Sequence, residues 1–541
     1  MRLGVRLLIN NIFTYFSAIS IVLMAGSLLI IIGPMICKGS GAIFFRSTVE
    51  FRELQFNMHN RGSKQALDEQ KALAESARTP VYEILNHFKQ GIDTSSLQTK
   101  VRENYRQYGQ QLRFQNIDRN KFTEYRNQAK ELRDELVAAY ESVDVNEIRP
   151  HLQKVLDQAN NALFQNTPIA EYFQFARDYQ QIISTVDLRK RDQYAQELTK
   201  VQEQIRLLLG PQPGRGKPAL AMDQYGATRM DRAKVVLDEL MWTTQWVEIE
   251  KGKPLQKKRT PRAEIFAGTE MEKLFSYIEQ NLNAMLLPKP AVYWQYLIDD
   301  STPGHFFGGI GPEIIGTLLL TLLAIAFAVP LGIISAAYLV ECAGDTITVR
   351  IIRICINTLA GVPSIVFGLF GLAFFVLYLF PLAGMQSKPC ILAASLTLAL
   401  LILPVIIRAS EEAIKSVPQT YKEASLALGA SNFKTFISVT FPAALPGILT
   451  GIILSLSRAA GETAPILFTG AVALGPIPRS IFEPTRALSY GSYDIAVGDR
   501  IAALVPHQQF GIVTALILLV LGLNICAIAI RWKLAKRFRG T

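Results

Sequence analysis

A polar segment between two long apolar runs reads Tyr421-Lys-Glu-Ala-Ser-Leu-Ala-Leu-Gly-Ala-Ser-Asn-Phe-Lys-Thr-Phe-Ile-Ser-Val-Thr-Phe-Pro442. Pro418 precedes this segment and can begin a helix, and Gly429 suits the left-handed conformation that ends one. Ser431 can cap a second helix, which Pro442 and Pro446 are expected to close. The pattern therefore predicts two short helices joined by a turn, held between membrane-spanning helices.

Six apolar runs are long enough to cross a bilayer as helices, which takes about 20 residues. They are Ile12–Ile36, Ile314–Val340, Gly361–Phe380, Ile391–Ile407, Pro446–Ala473 and Gly511–Ile530. The fourth run is near the short limit, and Pro404 is a candidate to end it early. The first run has no small-residue cleavage site after Pro34, so we expect an uncleaved anchor. The chain is predicted to be an all-α polytopic membrane protein.

Basic residues beside the apolar runs set the predicted orientation. Arg2 and Arg6 precede the first run, and five Lys or Arg residues between Arg531 and Arg539 follow the last. Both termini and the polar loop at 409–445 are therefore expected to face the cytoplasm. This pattern accounts for much of the net charge of +11 without a nucleic-acid partner.

Residues 38–305 separate the first two runs and are rich in charged side chains. Apolar residues recur in this region at three- and four-residue spacing, as in amphipathic helices. The predicted helices are Lys121–Ser142, Asn146–Phe164, Ile169–Val186, Leu188–Leu209 and Thr269–Leu287. A hairpin of Trp242–Glu250 with Gln256–Ile265 is also predicted. Three parts follow: residues 1–37 with the first span, a mainly helical extracytoplasmic insertion at 38–305, and a membrane core at 306–541.

Two charges lie deep in the fifth run. Arg458 and Glu462 stand where a charge costs at least roughly 2.5–3.5 kcal/mol on insertion scales. Four-residue spacing on a helix lets them pair, so one interpretation is a salt bridge that only holds the bundle together. The other is that Arg458 meets a passing anion, because its planar fork of donors matches phosphate oxygens. Glu462 would then hold Arg458 when no anion is present.

The other chemically active residue types give weaker signals. Pro363 and Ser364 can break the third run beside a pathway, or they can form a plain kink with the serine bonded to its own backbone. The five cysteines have no metal-ligand spacing, and the sequence leaves open whether Cys37 and Cys390 pair. The five histidines form no metal or catalytic spacing. We predict no catalytic residue and no metal site.

The polar loop carries a family resemblance. Glu423-Ala-Ser, Gly429 and Val-Thr-Phe-Pro442 resemble the EAA signature of ABC importer permeases, with Ser425 where that family usually has alanine. The resemblance implies that the loop docks on a separate ATPase, which binds ATP and Mg²⁺, and that this chain is not itself an enzyme. The coupling residues would be Glu423, Ala424, Gly429 and Phe433. From composition alone, an ordinary amphipathic loop is the alternative.

A second resemblance concerns the cargo. The run from Arg458 to Phe468 is similar to the PstA-type permeases of the bacterial phosphate-specific transport (Pst) family. Leu359–Phe370 and Gly316–Leu322 are similar as well. The resemblance extends from Gly311 to the C-terminus and implies the core of a type I ABC importer permease. Arg458 and Glu462 match the family's pathway positions, and we assign Thr463 and Ser364 to the same phosphate pathway.

The resemblance also implies partners. These are a second permease subunit, an ATPase dimer and a periplasmic phosphate-binding protein, assembled in the inner membrane of a bacterium with residues 38–305 in the periplasm. No cofactor is expected in this chain. One alternative is an importer of another oxyanion or small solute, such as molybdate, sulfate or an amino acid. Another is a membrane sensor. The fold and role of the insertion, the stoichiometry and the affinity stay open.

Overall fold

The computed structural model describes residues 3–115, 118–212, 227–247, 256–300, 302, 307–344, 346–475, 477–497 and 506–538. Contacts divide the chain into two compact units. Residues 1–45 and 291–541 form the membrane unit, and residues 46–290 form the insertion. The compact insertion therefore contains fewer residues than the predicted range 38–305. The first helix continues to Ser40, and residues from Ala291 onward group with the membrane unit.

Six helices in the described part of the chain are long and apolar enough to cross a membrane, in agreement with the six predicted runs. They are Ile12–Ser40, Gly311–Cys342, Ser364–Leu382, Ile391–Lys415, Asn432–Gly461 and Pro506–Leu534, and we call them the first to sixth spans. The first helix begins at Leu3 and the last ends at Phe538. Arg2 and Arg539, used above for orientation, lie outside the described residues.

The fourth and fifth spans depart from their predicted bounds. The fourth does not end at Pro404 but continues to Lys415, because neighbouring helices can accommodate the backbone group that a proline leaves unbonded. The fifth span does not begin after the polar loop, because it includes the second helix of the loop. A π-helical turn at Phe436–Thr440 joins the second loop helix to it, and Pro442 stands in the first turn of the α-helical part, where its missing N–H is tolerated.

Shorter helices connect the spans. The second span consists of an α-helix at Gly311–Ala337 and a π-helical end at Tyr338–Cys342. The third contains Ser364–Gly371, a π-helical part at Leu372–Leu379 and Phe380–Leu382. The remaining helices of this unit are Ile347–Leu359, Gln419–Ala427, Asn432–Thr435, Phe441–Gly461, Ala464–Thr469 and Leu488–Val497. Of these, Ile347–Leu359 and Leu488–Val497 are not predicted from the sequence.

Small residues let the spans pack closely. The central cluster combines alanines with aliphatic side chains from the second to fifth spans: Leu320, Ala324, Ala328, Phe367, Ala394, Leu398, Ile402 and Ala459. Close backbone approach of this kind drives helix association in lipid, where water supplies no hydrophobic force between helices. A second cluster holds the ends of the spans beneath the polar loop: Ala336, Ala413, Ile414, Val417, Ala444 and Ile448.

The insertion is helical for most of its described length. Its helices are Val49–His59, Lys64–Ile92, Thr94–Phe114, Arg119–Glu141, Val145–Asp157, Ala170–Thr185, Arg191–Leu209, Met230–Met241 and Glu270–Leu286, with 3₁₀ turns at Leu188–Lys190 and Arg262–Phe266. The predicted helix at Asn146–Phe164 ends early, at Asp157. Asn161 accepts a hydrogen bond from the Leu163 amide (3.1 Å), so its side chain supports turns in place of helix.

Two strand pairs complete the fold. Trp242–Val247 and Gln256–Pro261 pair antiparallel with Thr244 opposite Arg259, which confirms the predicted hairpin, and the turn between them lies outside the described residues. Phe44–Ser47 pairs with Lys289–Val292, where the chain passes between the two units.

A buried arginine joins four helices of the insertion. Arg78 donates hydrogen bonds to the backbone oxygens of Met285 (2.9 Å) and Leu209 (2.8 Å), which lie at the ends of their helices. It also pairs with the buried carboxylate of Glu50. A buried charge is tolerated only when it is paired in this way, so these contacts fix the first helix of the insertion against the others.

Candidate functional site

The fifth span is interrupted beyond Arg458. Its helix ends at Gly461, Glu462 has extended backbone dihedrals (φ −74°, ψ 134°), and a short helix follows at Ala464–Thr469. Pro465 lies at the start of that helix, where its missing N–H is tolerated. The expectation that one continuous helix carries both charges is therefore wrong, since Glu462 stands outside the helix that holds Arg458.

The two charges nevertheless contact each other. Arg458 Nε lies 3.3 Å from Glu462 Oε1, with side-chain exposures of 36% and 19%. The hydroxyl of Ser489 donates to the backbone oxygen of Glu462 (3.0 Å), which holds the break in place from another segment of the chain. Thr463 follows within the same break and is half-buried. The carboxylate of Glu462 is thus carried by a residue outside the helix, and it lies beside the partly exposed guanidinium of Arg458.

The pair lies at the end of the fifth span that is remote from the polar loop. A rise of about 1.5 Å per residue puts Arg458 about 25 Å along the helix from Phe441. On the other side, the chain continues to Thr469, whose backbone oxygen accepts a hydrogen bond from the Cys390 amide (2.8 Å) at the start of the fourth span. The apolar chain therefore continues on both sides of the two charges, and an arginine in such a run needs an anionic partner.

Ser364 belongs to a neighbouring helix. Pro363 has the extended conformation that precedes a helix (ψ 140°), and the third span begins at Ser364. Val362 packs against the central cluster, and a Cβ at Gly368 would lie 2.7 Å from the backbone oxygen of Ala464. The third span therefore passes close to the broken part of the fifth. Among the described residues, however, Ser364 makes no hydrogen bond with either charged side chain.

Other polar groups near the pair come from positions that the sequence prediction does not include. Ser455, about one turn before Arg458, has a buried hydroxyl with no hydrogen-bond partner in the described part of the chain. Ser457 contacts Asn524 of the sixth span (2.8 Å). Asn524 carries a polar amide inside an apolar run. Placing a polar group in hydrocarbon is costly, so its position in the sequence could have marked Asn524 as a residue with a partner. Ser489 lies in a polar connection and gives no such signal.

A buried ion cluster joins the connection after the fifth span to the start of the second. Arg486 Nη1 lies 2.7 Å from Asp300 Oδ1 and 3.3 Å from Glu313 Oε1, and both Arg486 and Glu313 are almost fully buried. Nearby, the Leu488 amide donates to the hydroxyl of Thr317 (2.9 Å). These contacts fix the segment that carries Ser489, so they position the break indirectly.

The polar loop has the predicted helix–turn–helix form. Its first helix, Gln419–Ala427, follows Pro418. Gly429 then adopts a left-handed conformation (φ +82°), as expected from its position. Ser431 caps the second helix by accepting a hydrogen bond from the Lys434 amide (3.3 Å).

The predicted coupling residues lie on an exposed surface. Phe433 is 76% exposed and Leu428 is 90% exposed, while Glu423 and Ala424 are exposed beside them. An apolar patch of this kind on a polar loop is typical of an interaction surface. Phe436, three residues after Phe433, instead packs inward against the cluster beneath the loop, where the π-helical turn joins the fifth span.

Two polar contacts hold the loop in shape. Lys422 Nζ lies 2.6 Å from Glu341 Oε1 at the end of the second span. The hydroxyls of Ser425 and Thr435 lie 2.9 Å apart and join the two helices of the loop. Ser425 is the residue that departs from the usual alanine of the signature, and here its hydroxyl has a structural role.

The remaining residues with reactive side chains are cysteines and histidines. Cys37 and Cys390 are both free thiols. His87 contacts Glu270 (2.9 Å) and His305 lies outside the described residues. Within the described ranges, no group of three or more His, Cys, Asp or Glu side chains is arranged to hold a metal ion.

Known proteins match the membrane unit. Residues 328–540 match the family described as binding-protein-dependent transport system inner membrane component. The phosphate transport system permease protein PstA of Mycobacterium leprae is 36% identical over 249 residues, which cover 46% of this chain and 79% of that protein. The probable phosphate transport system permease protein PstA of Methanocaldococcus jannaschii is 34% identical, covering 40% of this chain and 73% of the relative.

A solved inward-facing MetNI methionine ABC transporter also matches, with 20% identity and coverage of 42% of this chain and 95% of that one. Its TM-score of 0.34 is too low to support a fold assignment. The family assignment follows from the sequence relatives, which include proteins matched over more than two thirds of their length. On this evidence the chain belongs to the PstA family of phosphate transport system permease proteins.

Proposed function

We propose that this chain is one of two permease subunits of an ATP-driven phosphate importer in a bacterial inner membrane. The family supports an ABC permease with other subunits as partners. In the proposed complex, a second permease completes the pathway, an ATPase dimer binds and hydrolyses Mg²⁺-ATP, and a periplasmic protein delivers phosphate. The chain itself is part of a transporter and is not an enzyme. The relatives are permeases, which favours transport over the sensor alternative.

The observation that carries this proposal is the contact between Arg458 and Glu462 at the break where the helix of the fifth span ends. A guanidinium can exchange one anionic partner for another without becoming unpaired, since its donors fit carboxylate and phosphate oxygens alike. Glu462 would hold Arg458 between transport cycles and release it when phosphate arrives, while its carboxylate stays beside the bound ion. We assign Thr463 and Ser364 to the walls of the same pathway, where their hydroxyls could bond phosphate oxygens.

The carboxylate also gives a physical reason to favour phosphate over sulfate. Phosphate keeps at least one O–H near neutral pH and can donate a hydrogen bond to Glu462, whereas sulfate has no proton to donate. A fully ionised anion beside Glu462 would be repelled. The two charges together thus suit an anion that is both acceptor and donor.

The ATPase is proposed to act on this chain through the polar loop. Glu423, Ala424, Gly429 and Phe433 would contact the ATPase, and the helix that starts at Asn432 continues to Gly461. A displacement of the loop would therefore be transmitted along one helix toward Arg458. The five spans after the insertion would form the type I importer core. Both termini would be cytoplasmic and residues 38–305 periplasmic.

The test is uptake by the assembled complex. The chain is co-expressed with its partner subunits, reconstituted in liposomes and supplied with the binding protein, ATP and radiolabelled phosphate. Phosphate should accumulate only with ATP, and excess sulfate or molybdate should compete poorly. The substrate assignment is wrong if sulfate or molybdate is taken up in preference to phosphate, and the transport assignment is wrong if ATP drives uptake of none of the three.

A further inference from the structure

A small cavity of about 140 Å³ lies in the insertion at the turn between the helices Val49–His59 and Lys64–Ile92. Water occupies about 30 Å³ per molecule in the liquid, so the cavity has room for an ion of several heavy atoms. Its polar lining includes Arg52, Gln55, Arg61, Ser63 and Gln70. Gly62 and Ser63, which also line it, are exposed.

A buried amide points into this lining. Gln55 is only 8% exposed, and its Oε1 accepts a hydrogen bond from Arg61 Nη1 (3.3 Å). Because a guanidinium can only donate, this contact identifies the oxygen of the amide and leaves Nε2 as a donor. Nε2 is buried and has no hydrogen-bond partner among the described residues. A buried donor without an acceptor is unfavourable, so the position favours a ligand that accepts.

The start of a long helix adds further donors. The 29-residue helix Lys64–Ile92 begins at the cavity, and Ser63, at its N-cap position, makes no side-chain capping bond. The first backbone N–H groups of a helix have no partner within the helix. Together with the helix dipole they form a partial positive charge that favours anions. Ala66, in the first turn, lines the cavity.

Arg52 contributes a fixed positive charge. It donates to the backbone oxygens of Leu287 (2.8 Å) and Ser47 (3.2 Å), while its buried Nε has no partner in the described structure. Burial lowers the pKa of Arg52, and Glu50 opposes this effect. The nearby carboxylates have cationic partners, Glu50 with Arg78 and Glu53 with Lys71 (2.8 Å). The cavity is therefore rich in donors.

We propose that this cavity binds a small oxyanion with the size and charge of phosphate or sulfate. Gln55 Nε2, Arg52 Nε and the first amides of the Lys64–Ile92 helix would donate to its oxygens. Gln70 would complete the lining through its amide, whose orientation the ligand would set. This site lies in the insertion and does not depend on the assignment of Arg458.

Hydrogen exchange of the full-length chain in nanodiscs tests the site. The probe is inorganic phosphate, then sulfate, each compared with chloride at the same ionic strength. Phosphate at about ten times its Kd should slow exchange of the first turn of the Lys64–Ile92 helix about tenfold, because a ligand bound only to the closed form suppresses opening in proportion to its occupancy. Equal exchange in phosphate and chloride, or equal protection by all three anions, would overturn the proposal.

Three variants make the test specific. Arg458→Gln removes the charge proposed for the membrane pathway and should leave this protection unchanged. Gln55→Leu should abolish it. Ala66→Glu places a carboxylate three residues after Ser63, which forms a capping box and stabilises the helix start, yet competes for the same donors. Phosphate should therefore give no protection in a variant that folds at least as well. Retained protection in Ala66→Glu, or its loss in Arg458→Gln, contradicts the assignment.

Discussion

A guanidinium in an apolar run of a membrane protein needs an anionic neighbour, because an unpaired charge in hydrocarbon is costly. Glu462 supplies that neighbour at 3.3 Å, and the 36% exposure of Arg458 leaves room for a second anion. The carboxylate stands just beyond the last residue of the helix, so it can turn away without breaking helical hydrogen bonds. The residue pair therefore combines a stable resting contact with a small cost of separation.

We predict that Arg458→Gln lowers phosphate uptake roughly ten- to a hundredfold, because a hydrogen bond to a charged group contributes about 1.5–3 kcal/mol. Arg458→Lys should restore only part of the rate, since a point charge replaces a bidentate fork. Uptake is measured in reconstituted vesicles and normalised to the amount of assembled complex. Arg531→Gln, which removes a basic residue that contacts Thr450 (2.9 Å), is the matched control and should transport normally.

A double apolar variant separates the two interpretations of the pair. If the salt bridge only stabilises the bundle, Arg458→Leu with Glu462→Leu should restore both assembly and uptake. If the pair forms the pathway, the double variant should assemble but fail to transport. Near-normal uptake without either charge would exclude the pathway role.

At the scale of the element, the main feature is the junction between the second loop helix and the fifth span. The π-helical turn Phe436–Thr440 keeps Asn432–Gly461 continuous, with Phe433 exposed at one end and Arg458 near the other. A π-helical turn contains one residue more than the α-helical path it replaces, so it absorbs that residue while the loop helix and the span keep their directions.

Deleting Ser438 tests this junction. The deletion should convert the turn to α-helix and leave the loop helix facing nearly its present direction, because the turn holds one residue more than the α-helical path. Ser438 is exposed, so the spans should still insert and pack. We expect the complex to keep phosphate-stimulated ATP hydrolysis and uptake, measured on the same preparation. Deleting the exposed Lys434 as well should rotate Phe433 by about 100° relative to the span, because no extra residue is left to absorb the change, and both activities should be lost. Normal coupling in the double deletion would show that the direction of this helix is unimportant.

The sequence predicts elements well where periodicity and length decide them, and less well where distant contacts do. Arg458 and Glu462 can be found because charges are rare in apolar runs. The break between them is hidden, since the apolar pattern continues through Pro465 to Phe468. Ser489 reaches Glu462 from 27 positions away, and that proximity depends on how the intervening chain returns. Phe436 turns inward because of the π-helical turn, which no local spacing rule identifies.

At the scale of the whole molecule, the six spans and the basic residues at both ends predict the orientation. Single cysteines are introduced at Gln212 and Ser431 after the five native cysteines are replaced. A membrane-impermeant maleimide added to intact cells should label the cysteine at 212 but not the one at 431, and permeabilised cells should show labelling at both. Labelling at 431 in intact cells would reverse the proposed topology.

The strand pair Phe44–Ser47 and Lys289–Val292 has a consequence for the ancestry of this chain. The hydroxyl of Ser47 donates to the backbone oxygen of Lys289 (3.2 Å), so the first and last residues of the insertion are neighbours. A domain whose ends are neighbours can be inserted or removed in one genetic event without distorting the rest of the protein, because a short linker closes the gap. A gene with this segment excised and bridged by a few glycines is therefore the natural minimal version of the permease.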